Sequence, residues 1–84
     1  MAKPRRVNLS NRAEKVFYTV DERFREHIKE SIRELAANPL LGKRLRGEFE
    51  GLRSYRVASF RIVYRVTSEL VEVVFIDHRK DVYR

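Results

Sequence analysis

The sequence predicts a single α+β domain over residues 1–84: a short N-terminal strand and an α-helical hairpin packed on an antiparallel sheet of three to four strands. Three observations predict it. Apolar residues recur at helical spacing through the first half of the chain, and from Leu52 the period shortens to two. Helices first and strands after them are the order of an α+β fold rather than of alternating βαβ units. A chain of 84 residues holds one core and has no room for a second.

The elements follow in order. Val7 to Ser10 closes a short first strand after a basic arm, and Ser10 or Asn11 is placed to cap a helix start. Ala13, Val16, Phe17 and Val20 then form an apolar stripe on one helix face. Asp21 is a second cap, beyond which Phe24, Ile28, Ile32, Leu35 and Ala36 repeat the stripe. Asn38-Pro39 ends this helix, because proline pushes the residue before it out of helical geometry. A tight turn at Thr19–Asp21 joins the two helices. Pro39 to Gly51 reads as a connector rich in glycine and charge. Leu52–Val57, Phe60–Thr67 and Leu70–Asp77 are then three strands, with Ala58-Ser59 and Ser68-Glu69 as two-residue turns.

Two-residue turns fix a register. Val57 then faces Phe60, Arg56 faces Arg61 and Tyr55 faces Ile62; Val66 faces Val71, Tyr64 faces Val73 and Ile62 faces Phe75. One face becomes almost wholly apolar and packs under the helices. The other carries Arg56, Arg61, Val63, Arg65, Glu72, Val74 and Ile76, with His78 continuing its parity. Arg65 opposite Glu72 is an ordinary cross-strand ion pair. Arg56 opposite Arg61 is destabilising, because like charges face each other across the ladder. Two readings stand: solvated arginines that splay apart, or a basic patch beside His78 where an anion relieves the repulsion.

Composition narrows the chemistry. Nineteen Lys and Arg against twelve Asp and Glu give a net charge of +7, and fourteen of the nineteen are arginine, the side chain whose planar fork fits phosphate. The partner is a polyanion (nucleic acid or an acidic protein), unless the charge serves solubility alone. Cysteine is absent, so disulfides and thiolate metal sites are excluded, which favours a cytoplasmic setting. No apolar run reaches the roughly 18–20 residues of a membrane span, and no signal-peptide core follows the basic N-terminus. No metal-ligand spacing, nucleophile elbow or glycine-rich phosphate loop is visible, so neither a metal nor a cofactor is expected. His27 reads as a solvated helix residue. His78 is either a hydrogen-bonded strand end or, with an unperturbed pKa of about 6.5, a proton carrier.

Four stretches of the second half then point to one family: Leu41-Gly42-Lys43-Arg44-Leu45-Arg46-Gly47, Tyr55-Arg56-Val57, Phe60-Arg61-Ile62-Val63-Tyr64-Arg65-Val66, and the ending Asp77-His78-Arg79-Lys80-Asp81-Val82-Tyr83-Arg84. Together they resemble the RelE/ParE toxin superfamily. The resemblance covers nearly the whole chain and implies the toxin of a type II toxin–antitoxin system. For RelE-type members it implies a ribosome-dependent mRNA endoribonuclease with the fold of small microbial ribonucleases, cutting mRNA in the ribosomal A site without metal. Carried over by motif, the catalytic set is Arg56, Arg61, His78, Arg79 and Tyr83, with Lys43, Arg44, Arg46, Arg65 and Lys80 binding RNA. RelE proper has a second basic residue two positions beyond the first, where this chain has Ala58. The expected partner is a cognate antitoxin, acidic or of mixed charge and partly disordered when free. The rival readings are a ParE-type, non-enzymatic inhibitor of DNA gyrase and a basic nucleic-acid-binding domain without catalysis. The His-Arg…Tyr ending, usually lacking in ParE-type members, separates the first rival from the RelE reading.

Overall fold

The computed structural model describes residues 4–78. A strand β1 (Arg6–Leu9) leads into helices α1 (Asn11–Thr19) and α2 (Glu22–Ala37), then a two-residue strand β2 (Lys43–Arg44) and a 3-10 turn over Gly47–Phe49. Strands β3 (Arg53–Val57), β4 (Phe60–Val66) and β5 (Leu70–His78) follow. The expected antiparallel meander β3–β4–β5 is the centre of the sheet. It is extended at both edges, giving five strands in the order β1-β5-β4-β3-β2, with β1 parallel to β5 and β2 antiparallel to β3. The result is an α+β fold, two helices on a mixed sheet.

Local chemistry explains the helical hairpin. The Ser10 hydroxyl accepts from the Ala13 N–H at 3.0 Å, satisfying one of the unpaired donors at the start of α1. Asp21 caps α2 by accepting from the Arg23 N–H at 2.9 Å, and this backbone hydrogen bond holds its carboxyl below the usual range. Arg25, one turn into α2, reaches back to the end of α1 and donates to the carbonyls of Phe17 at 3.0 Å and Val20 at 2.9 Å. That guanidinium supplies the cation that the last turn of α1 lacks. α2 stops at Ala37, before Asn38-Pro39.

The helices lay Ala13, Ile28, Ile32 and Leu35 against Val57, Phe60, Ile62, Tyr64, Val71, Val73 and Ile76 of the sheet. Burying each large side chain stabilises the fold by about 1.5–3 kcal/mol. Tyr64, with no exposed surface, brings a hydroxyl into this core. The hydroxyl donates to the Pro39 carbonyl at 2.7 Å and accepts from the Gly42 N–H at 2.9 Å, latching the connector to β4. Burial pushes the phenol above its usual value of 10.0, an effect opposed by the Gly42 hydrogen bond and nearby Arg53. A Cβ at Gly42 would lie 2.5 Å from the Tyr64 oxygen and 2.8 Å from the Ser54 carbonyl, so only glycine fits.

The register departs from expectation at one place. The first hairpin pairs as predicted, and so do Val66 with Val71 and Tyr64 with Val73. Beyond them a β-bulge leaves Val74 unpaired, so Val63 meets Phe75, Ile62 meets Ile76, Arg61 meets Asp77 and Phe60 meets His78. The predicted pairing of Ile62 with Phe75 is therefore wrong. Ile76 turns into the core, whereas Phe75 turns to the face away from the helices. The Val74 carbonyl, displaced from the ladder, accepts the Ser10 hydroxyl, and the Ser10 N–H donates to the Val73 carbonyl at 2.9 Å.

Ser10→Ala removes a helix cap and strips the bulge carbonyl of its donor; urea unfolding should show a loss of about 1–3 kcal/mol. A second test concerns the latch. Gly42→Ala and Tyr64→Phe should each destabilise by about 1–3 kcal/mol, and the double variant by clearly less than their sum, because both break one contact. Additive effects would show that the latch does not exist as a unit. Since the folded phenol holds its proton more tightly than the unfolded one, wild-type stability should also fall as pH rises through 10, a fall that Tyr64→Phe reduces.

Candidate nucleic-acid interface

The face away from the helices is built in rows that run across the strands. One row is Arg56 on β3, Arg61 on β4 and Asp77 on β5; the next is Lys43, Ser54, Val63 and Phe75; a third pairs Arg65 with Glu72. The predicted opposition of Arg56 and Arg61 is real. Arg56 is exposed, while the Arg61 side chain is 30% exposed and donates from Nη2 to Asp77 Oδ2 at 2.9 Å, with Asp77 23% exposed. A carboxylate on one flank thus offsets the repulsion from the other. Arg65 is ion-paired to Glu72, as expected.

The β4–β5 half of the middle row is apolar and covered. Val63 and Phe75 are buried, and Phe75 lies between Arg12, whose guanidinium carbon sits 4.6 Å from the ring centroid, and Phe49, whose centroid is 6.3 Å away. The face is therefore less open than parity alone implies. The 3-10 turn carries Phe49 across it, between Gly47 and Gly51, both at positive φ. Where β2 begins, Leu41, Lys43, Ser54, Tyr55 and Arg56 line a shallow cavity of about 330 Å³. Arg44, Leu45, Arg46 and Glu50 line another of about 450 Å³ in the connector.

These positions sort the candidate residues. Arg56, Arg61, Lys43 and Arg65 share the helix-free face. Arg44 pairs with Arg53 and, with Arg46, belongs to the connector cavity. His78 does not share the parity of Arg61. The bulge sends it to the side of Phe60, where the imidazole meets the Phe60 ring edge-on at 4.9 Å and its Nε2 lies 3.3 Å from the Ser59 hydroxyl. The expectation of a proton carrier beside the two arginines is thus corrected: Asp77 holds that place. Arg79, Lys80 and Tyr83 lie outside the described residues. Sequence reasoning missed Arg12, Phe49 and Asp77. For Asp77 the one available signal was the unbroken apolar run Val73-Val74-Phe75-Ile76, in which strict alternation has already failed.

Ala58 also acquires a reason. It is the first residue of the β3–β4 turn and the one described non-glycine at positive φ, 53°. The position at which the resemblance to RelE implies a second cation is here the corner of a two-residue hairpin.

The sequence model of the ParE toxin family of type II toxin–antitoxin systems matches residues 7–83. The chain belongs to this family. It is similar to Toxin RelG of Mycobacterium tuberculosis, 43% identical over 54 residues that span 61% of this chain and 62% of RelG, so less than two thirds of that relative is matched. Among solved structures it resembles a chain of the toxin–antitoxin complex RelBE2 of the same organism. The TM-score is 0.83 and the identity 28%, over 92% of this chain and all of the other. A chain of the intact Escherichia coli RelBE complex superposes with a TM-score of 0.74 and 26% identity, over 86% of this chain and 93% of the other.

With the imidazole on Phe60, His78→Ala should lower stability by about 0.5–1.5 kcal/mol. A double-mutant cycle with Phe60→Leu should recover that coupling; a cycle showing none would remove the packing role assigned here.

Proposed function

We propose that this chain is the toxin of a type II toxin–antitoxin pair and acts as a ribosome-dependent mRNA endoribonuclease in the cytoplasm. The observation that carries the reading is the Arg56–Arg61 row. Two guanidinium-bearing residues face each other across one ladder, on a sheet face that the helices leave free, in the scaffold of this family. Stability gives no reason for that opposition, whereas a phosphate between the two forks does.

The chemistry follows from the charges. Metal-free RNA cleavage uses the neighbouring 2′-hydroxyl as nucleophile on the phosphate and leaves a cyclic phosphate. The pentavalent phosphorane carries crowded negative charge, and arginines held on a rigid strand are preorganised donors for it. Arg56 and Arg61 take this role, with Arg79 joining them by the family motif. Proton transfer, worth about 10²–10⁴-fold in rate, falls to the C-terminal motif, where Tyr83 is the candidate. His78, turned to Phe60, is left out. Lys43 and Arg65 on the same face, with Arg44, Arg46 and Lys80, steer the polyanion.

The +7 chain also calls for an acidic or mixed-charge antitoxin that folds on binding. The relatives in the RelBE2 and RelBE structures are held in toxin–antitoxin complexes, which supports that partner. One observation favours a second reading: the matching family model is that of ParE, and a resemblance to ParE-type members implies action on DNA gyrase without catalysis. The His-Arg…Tyr ending weighs towards RNA cleavage.

Primer extension on ribosome-bound mRNA, run beside a gyrase supercoiling assay, separates the two. Cleavage by the wild type should fall by about 10²–10³-fold in Arg61→Ala, with the fold kept by circular dichroism. Gyrase inhibition without any mRNA cut would transfer the assignment to the second reading.

A further inference from the structure

We propose that Asp77 is the positioning residue for Arg61, fixing the direction of its guanidinium while lowering its avidity for phosphate. The inference rests on the reading of Arg61 as a phosphate-binding residue. Had β5 continued without a bulge, Arg61 would face Ile76; the extra residue Val74 brings Asp77 there instead. The pair is the most enclosed of the ion pairs among the described residues, with side chains 30% and 23% exposed against 55% and 27% for Arg65–Glu72. A half-enclosed carboxylate at 2.9 Å orients a long side chain in a way an exposed partner does not.

The direction of the pull is set by the row. Asp77 stands on β5 and Arg56 on β3, with Arg61 between them. Asp77 therefore holds the Arg61 guanidinium on the side away from Arg56 and keeps two like charges apart. A guanidinium has five N–H donors, and Nη2 is the one that Asp77 engages. Nε is buried without a hydrogen-bond partner, so the donors left for a phosphate are the remaining Nη hydrogens. The same carboxylate is also a competing anion on the fork, so its negative charge weakens every phosphate contact Arg61 makes.

Orientation and charge come apart in two substitutions. Asp77→Asn keeps an acceptor and removes the charge; Asp77→Ala removes both. With the full-length, isotopically labelled protein, the Arg61 Nε–Hε resonance reports orientation, and its titration with inorganic phosphate reports avidity. The resonance should stay near its wild-type position in Asp77→Asn and move to the free-arginine position in Asp77→Ala. Phosphate should bind both variants roughly 3- to 10-fold more tightly than wild type. On ribosome-bound mRNA, kcat should be kept in Asp77→Asn and fall about 10-fold in Asp77→Ala, while KM falls in both. A residue serving stability alone would not tighten phosphate binding. An Arg61 resonance unmoved in Asp77→Ala, or phosphate bound no more tightly by Asp77→Asn, overturns the proposal. The resonance and phosphate measurements need no RNA, so a wild type that cuts no mRNA counts against the nuclease reading and leaves this test standing.

Discussion

The carbonyl of Val74 is the pivot of the molecule. A residue inserted into a strand leaves its carbonyl without a ladder partner, and β1 ends one residue short of it, at Leu9 opposite Val73. The Ser10 hydroxyl takes that carbonyl, and the same oxygen accepts from the Ala13 N–H at the start of α1. One side chain thus joins the end of β1, the first turn of α1 and the bulge in β5. The consequence travels along β5 for four residues. Phe75 leaves the core, Ile76 enters it, Asp77 reaches Arg61 and His78 reaches Phe60. A serine at a helix start is thus bonded to the bulge that places Asp77 beside Arg61 on the far face of the sheet.

That far face is arranged against its own stability. Its edge row holds two arginines in direct opposition, and Asp77 neutralises one of them. Beneath that row, Val63 and Phe75 form a dry floor under Phe49 and Arg12. Guanidinium groups beside apolar surface are less hydrated than in open water, so a phosphate that reaches them meets donors partly freed of competing solvent. In the proposed function, charge placed this way serves recognition of an anion.

Most of the fold was legible, because each element carries its own signal. Ser10 and Asp21 cap where capping residues stand, Pro39 stops α2, and two-residue turns leave the first hairpin no other register. The edge strands were harder. β2 is two residues long and leans on the Tyr64 latch, a contact between positions 25 apart at its widest that no local pattern announces. The site was legible up to Val73 and wrong after it. Val73-Val74-Phe75-Ile76 is apolar throughout, so both parities satisfy the hydrophobic pattern, and the observed one comes with a tertiary partner for the Val74 carbonyl. Arg56 and Arg61 lie on strands without a bulge between them, which is why their opposition was readable and the place of His78 was not.

The same scaffold underlies relatives whose names divide between RelE and ParE, so the fold by itself does not select a target. What distinguishes one reading from another is a handful of side chains on one sheet face. A binder of a protein surface gains from apolar anchors at the centre of its patch and has no use for two arginines held in mutual repulsion. A cleaver of RNA needs cations fixed where phosphorane charge develops, and will tolerate repulsion in the empty state because the substrate removes it. Here Val63 and Phe75 are covered, Phe49 is partly exposed above them, and Arg56 is left open at the edge of the face. Opposed cations at the edge of a largely buried apolar floor are the feature on which the proposed nuclease reading rests.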